Sequence, residues 1–414
     1  PGEWHLDRNS GKLYLFPPTP LAAATVEIPL LAEPFAILRG VEHVAFRGLA
    51  FELGRADGIV IEGGKGNLLA GCTIGRVGGN GVIVNGGSGH GVFGCDLHTL
   101  GAGGVRASGG NRATLAAGGH FIENCHIHDF TRIDRVYAPA VHLDGVGNRI
   151  THNLLHDSPH HALRVEGYEH EIAFNEIHSV VYESDDQAGI DIYGNPAYRG
   201  NRIRYNFWHH IGSGHNVAGQ AGIRLDDFIS GVLIYGNVFY RCAGGRFGAV
   251  QIHGGKDNIV DNNLFVGCKY ALSFSPWGEA RWKERLASDS TRRIVGSGGV
   301  DITAPPHSTR YPDLAEMPAN ADRNFIWRNL VVDCGEFATR DRRVNEMLDN
   351  HFSLKDPRPG GAAGLDFRLG KDAAVFDRFG FRPIPFEEIG LYQDASRASW
   401  PVESQVTPHY VEEY

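Results

Sequence analysis

The sequence predicts an all-β chain wound as a parallel β-helix, a solenoid, and three observations carry that prediction. A short motif of small residue, aliphatic, any residue, aliphatic recurs as Ala140-Val141-His142-Leu143, Ala162-Leu163-Arg164-Val165, Gly189-Ile190-Asp191-Ile192, Gly222-Ile223-Arg224-Leu225, Ala249-Val250-Gln251-Ile252 and Ala271-Leu272-Ser273-Phe274. These starts lie 22, 27, 33, 27 and 22 residues apart, too close for a strand plus a helical crossover and suited to one coil with loops of variable length. Glycine supplies 55 of the 414 residues, well above the usual share of about 7%, as sharp turns in every coil demand.

Each coil has a second half in which Asn opens an apolar run, at Asn124, Asn153, Asn175, Asn206, Asn237, Asn263 and Asn329. Coils stack about 4.8 Å apart, so these side chains are expected to hydrogen-bond one above another at a turn. In the strands the aliphatics two apart, such as Val141 with Leu143, point inward and the residues between them point out.

In chain order, residues 1–40 read as a β-hairpin and lead-in, with Trp4 to Asp7 and Lys12 to Leu15 joined through Asn9-Ser10-Gly11. Residues 41–355 read as the coils, interrupted by a long loop insert at 276–322 that carries one short helix near Trp277 to Ala287. From 356 to 414 the repeats vanish, and an irregular tail is expected to pack along the solenoid over an edge or an end.

The six cysteines follow the coil: Cys242, Cys268 and Cys334 each lie five residues past the coil Asn, and Cys72, Cys95 and Cys125 share another position. They read as stacked free thiols, because a chain this long buries ample core without bridges. A net charge of −9 with no Lys/Arg-rich run argues against nucleic acid and anionic membrane as partners, and no apolar stretch is long enough to span a bilayer. The chain begins at Pro1, which fits a trimmed or mature exported product.

Function is expected on the outward positions. Aligning the coils places His142, Arg164, Asp191, Arg224, Gln251 and Ser273 in one row and Asp144, Glu166, Tyr193, Asp226, His253 and Ser275 in the next. Two acidic pairs stand out, Asp185-Asp186 before the Gly189 strand and Asp226-Asp227 after the Gly222 strand, and adjacent coils let Asp186 approach Asp226 or Asp227. Such a pair suits cleavage of a glycosidic bond, one carboxyl protonating the leaving oxygen and the other acting on carbon or water. The bland reading is that these acids cap turns.

Arg164, Glu166, Asp191, Tyr193, Arg224, Gln251 and His253 read as substrate-binding, with His160, His161, His209 and His210 near the acidic coils and able to contact sugar hydroxyls, and Trp277 able either to stack on a sugar or to pack the insert. Two rivals remain open. The same acids would suit Ca²⁺ in a lyase or epimerase acting on a uronate polymer, with Arg164 or Arg224 as base. A carbohydrate-binding spike or adhesin would need no turnover. The 21 His read as a stacked polar row in preference to zinc, so no metal or cofactor is expected on the main reading.

The opening Gly2-Glu3-Trp4-His5-Leu6-Asp7, the stretch Asp186 to Asn195 with Arg199 to Phe207, Leu225-Asp226-Asp227, His253 to Asn258 and the closing Gly380 to Tyr392 together resemble bacterial right-handed parallel β-helix proteins of glycoside hydrolase family 141. The resemblance runs nearly end to end. It implies a right-handed helix and a secreted or periplasmic enzyme on plant or algal polysaccharide, α-L-fucosidase-like or xylanase-like. It also implies catalytic Asp residues at Asp186 and at Asp226 or Asp227, working by retention. Gly194-Asn195-Pro196 departs from the Gly-Arg-Asp often found there.

Overall fold

The computed structural model describes residues 2–213, 217–341, 343–353, 363–369 and 378–406. Within them the chain winds as a right-handed parallel β-helix whose coils contribute to three stacked parallel sheets. The first sheet carries the strands of the recurring motif, from Ala36–Arg39 to Glu336–Thr339; the second runs from Ala45–Arg47 to Glu346–Leu348; the third runs from Ala50–Gly54 to His351–Ser353. The inward aliphatics, among them Val141, Leu143, Ile190, Ile223 and Leu225, are fully buried in one continuous core. Small residues open the motif because the interior behind them is filled: a Cβ on Gly189 would lie 3.2 Å from the Trp208 ring, and one on Gly222 3.0 Å from Phe239.

The expected Asn ladder is present. The Nδ2 of Asn153, Asn175, Asn206, Asn237, Asn263 and Asn329 each donates to the Oδ1 of the next, ending on Asn350, at 2.8 to 3.0 Å. One assignment is corrected. Asn124 is not a rung: its side chain binds the backbone of Tyr392 in the tail, and Cys125 takes the ladder position, its N–H donating to Asn153 Oδ1. Cys95 and Cys72 continue the column below it, with Cys72 N–H on Cys95 Sγ, so these thiols stand in the Asn column itself. All six cysteines are buried and free. A second ladder at another turn mixes Asn and His, through Asn67, His90, His120, Asn148, His170 and Asn201, each backbone N–H meeting the next side chain.

The hairpin forms as Trp4–Asp7 with Lys12–Leu15, antiparallel, and leaves Trp4 and Tyr14 exposed. The insert holds more helix than expected: Gly278–Ala287 is followed by Asp289–Val295 and His307–Arg310. Ser288 caps the second of these through Thr291 N–H, a signal present in the sequence and passed over. The tail differs in what it covers. Its described parts lie across the outer face of the third sheet, where Phe367, Phe381, Ile384, Phe386 and Ile389 pack on Phe207, Val238, Leu264 and Leu330, so these parts shield a face where an edge or an end was expected. Tail residues 354–362, 370–377 and 407–414 lie outside the described residues. No helix among the described residues is long and apolar enough to cross a membrane.

Candidate active site

Strands Val141–Val146, Leu163–Tyr168, Gln187–Tyr193, Gly219–Asp226 and Val250–His253 lie side by side in the first sheet. Their register puts His142 beside Arg164, Arg164 beside Asp191, Asp191 beside Arg224, and Arg224 beside Gln251, as the alignment of coils predicts. Above these rows is an open cleft of about 600 Å³ lined by Arg164, Glu166, Asp186, Asp191, Arg224 and Asp226, with Tyr193, His142 and others at its sides.

The two acidic segments come together through their loops. Asp185 accepts three backbone N–H groups, from Val217, Ala218 and Gly219 at 3.0, 2.9 and 2.8 Å. Burial works against its charge, but those donors outweigh it and hold the carboxyl below its usual range. Asp185 is thus the turn anchor of the pair. Gln220 ties the same loop down by donating to Val181 O at 2.8 Å and Ser184 O at 2.6 Å. Asp186, left free of that duty and at φ 57°, projects over the cleft.

Arg224 Nη2 lies 3.0 Å from Asp186 Oδ1 and 3.0 Å from Asp226 Oδ1, so the two carboxylate oxygens can be no more than twice that distance apart. Arg224 also donates to the backbone carbonyl of Asp186 and sits over the Phe247 ring. Asp226 receives His253 Nδ1 at 2.9 Å. Partial burial pushes the Asp186 carboxyl up, opposed by Arg224 and reinforced by Asp226. Arg164 is held in parallel fashion, by Glu166 at 2.9 Å and Asp191 at 3.0 Å.

Asp191 is the most enclosed acid of the cleft, and burial pushes its carboxyl up to about 6 against the pull of Arg164 and Arg224. Its folded-state value exceeds the unfolded one, so it favours the folded state most below about pH 4 and loses that contribution as pH rises through about 6. A shift of this size corresponds to on the order of 2–3 kcal/mol. We expect the parent to lose that much stability relative to Asp191→Asn between pH 4 and 7 in paired urea titrations; parallel profiles would contradict it.

Several expected residues stand elsewhere. Asp227 turns from the cleft lining to His253 at 3.4 Å and Arg285 at 4.0 Å. Gln251 is buried one strand on and occupied by Ser273, Ser275 and Arg340. Trp277 is only 7% exposed, wedged between Phe228 and His253 with Arg281 across its face, so it packs the insert and offers no ring to a sugar. His209 and His210 are furthest from expectation. The strand Phe207–His209 belongs to the third sheet, so neither joins the cleft. Tyr137 was missed; it comes from a loop outside the repeat, where no periodic signal marks it, and reaches the cleft beside His160 at 4.8 Å between rings. Burial drives His160 down to about 4, leaving a neutral imidazole there at physiological pH.

Fold and site together define a right-handed parallel β-helix with an acid-rich cleft on one sheet. The family model described as "Right handed beta helix region" matches residues 139–292, the coils that carry the cleft. Among solved structures, a chain titled "Glycoside hydrolase" is similar at 15% identity and a TM-score of 0.35, with 59% of this chain and 40% of that one covered. A mutant of the PL6 family alginate lyase AlyGC is similar at 14% identity and a TM-score of 0.41, covering 90% of this chain and 57% of that one. The unmutated AlyGC gives 14% identity and a TM-score of 0.35, covering 89% and 57%. This chain therefore spans about half the length of these structures. No curated protein sequence matches it.

Proposed function

We propose that the protein is a secreted or periplasmic glycoside hydrolase that cleaves a polysaccharide in the first-sheet cleft, with Asp186 and Asp226 as its paired carboxylates. The observation that carries this reading is their convergence on the single Arg224 Nη2. Asp186 is the acid/base, since its raised carboxyl value favours holding a proton for the leaving oxygen. Asp226, set between Arg224 and His253, is the nucleophile. One oxygen of each carboxylate lies within twice 3.0 Å of the other, closer to the spacing of about 5–5.5 Å that retention uses than to the roughly 6.5–9.5 Å of inversion, and retention is the outcome proposed.

The charge of the lining bears on the substrate. Two arginines face five carboxylates, those of Glu166, Asp185, Asp186, Asp191 and Asp226, and both arginines are already paired. That excess of negative charge favours a neutral sugar, fucose- or xylose-like, over a uronate polymer. It also leaves neither arginine unengaged to serve as the base of a lyase. The test is incubation with neutral and acidic polysaccharides and aryl glycosides, with and without chelator, reading reducing ends, unsaturated uronate absorbance and the anomer first released. Retained neutral sugar insensitive to chelator is expected. Unsaturated product would overturn the reading in favour of the lyase, and binding without product in favour of an adhesin.

A further inference from the structure

The third sheet carries a column of imidazoles unrelated to the cleft. His98, His128, His156, His178 and His209 occupy one register position on successive strands, stacked at 4.6 to 5.6 Å between rings. Each is followed by a residue in the left-handed region, Thr99, Asp129, Asp157, Ser179 and His210, whose side chain meets the preceding imidazole at Nδ1. Each Nδ1 thus has a partner that orients its ring, and the carboxylates of Asp129 and Asp157 select the Nδ1–H tautomer at His128 and His156.

At one rung this column meets an acid. Glu176 and His178 share a strand, His209 lies on the next, and their ligand atoms all fall within 4.8 Å of one another. Glu176 Oε1 is 3.2 Å from His209 Nε2, the spacing of two neighbours on a tetrahedral metal. His178 Nε2 is buried and has no hydrogen-bond partner, in a residue 1% exposed. We propose that Glu176, His178 and His209 bind one divalent transition metal ion of the zinc class, with water as the fourth ligand.

Imidazole and carboxylate suit such ions, and the surroundings resemble a prepared site. Ser179 Oγ at 3.0 Å and His210 Nδ1 at 2.9 Å orient the two rings from behind. Phe207 stacks on His209 at 4.2 Å, and the tail closes the remaining side, where a Cβ on Gly390 would lie 3.2 Å from Glu176 Oε2. A bound cation restores charge balance to a carboxylate and two lone pairs enclosed together. The ion would hold two coils of the third sheet together beneath the tail, on a different sheet from the cleft.

The test strips the full chain with chelator, re-equilibrates it with zinc or cobalt(II), and reads metal per chain, the visible spectrum of four-coordinate cobalt and the melting temperature. One equivalent is expected, with a melting temperature that rises on zinc addition. In Glu176→Gln and His178→Ala the affinity falls at least about 100-fold, and in Ser179→Ala about 10- to 100-fold. Glu176→Gln keeps the side-chain shape, and circular dichroism reports its folding independently. A parent that takes up no metal overturns the proposal, as does uptake unchanged by these variants, which would point the ion to another cluster, such as His126, His128 and His156 or Asp226, Asp227 and His253. Hydrolysis in the cleft rests on other residues, so either claim can fail alone.

Discussion

In the Asp226→Asn variant, hydrolysis of a cleaved substrate falls at least ~10³-fold while folding and substrate binding persist. The carboxylate supplies the atom that bonds to the anomeric carbon in a retaining mechanism, and an amide cannot do so. Asn keeps the shape, so Arg224 Nη2 and His253 Nδ1 retain a partner oxygen. Asp186→Asn is expected to lose about 10²- to 10⁴-fold, the usual worth of a positioned acid/base, and least on aryl glycosides whose leaving groups need no proton. Azide should restore turnover in one variant with retained product and in the other with inverted product, which assigns the two roles. Turnover within tenfold of the parent in Asp226→Asn would remove Asp226 from the mechanism.

Asn206→Leu is expected to be the most damaging single change to the scaffold, costing about 4 kcal/mol. Its Oδ1 accepts from Asn175 N and Nδ2 at 3.0 and 2.8 Å, and its Nδ2 donates to Ile172 O, Arg204 O and Asn237 Oδ1 at 3.0, 3.1 and 2.9 Å. Leucine matches the volume and satisfies none of them, leaving several buried groups unpaired at about 1–3 kcal/mol each. The urea midpoint measures it, against Cys95→Ala, which removes a weak donor and should cost about 1 kcal/mol. Equal losses in the two variants would mean that the ladder amides contribute little beyond their volume.

The strands were legible because a half-buried strand alternates with period two, and because a motif repeated through the coils averages out local accidents. Adjacency across the first sheet was legible for the same reason, which is how Arg164, Asp191, Arg224 and Asp226 were found. His209 and His210 were misplaced because nearness along the chain is not nearness in space here. The strand after Gln187–Tyr193 turns a corner into another sheet before the chain returns to the cleft. Asn124 misled by one position because a cysteine takes the rung beside it. The second ladder was invisible because Asn and His are mixed in it, two residue types that share only an acceptor atom at the right reach. Trp277 was ambiguous because sequence does not say which face of an aromatic ring its neighbours cover.

The passage of one column from thiol to amide gives the solenoid a grain. From Asn153 onward each rung donates strongly to the carbonyl of the coil behind it, as Asn153 Nδ2 does to Ile122 O at 3.0 Å. In the earlier coils the same place is held by Cys72, Cys95 and Cys125, whose sulfurs reach Phe46 O, Leu69 O and Val92 O at 3.6, 3.6 and 3.4 Å. In a stack where each coil touches only its neighbours, local cohesion sets where separation begins. Separation is therefore expected to begin at the amino-terminal coils, with the coils that cradle the cleft wound until later, an order that hydrogen exchange read coil by coil would check.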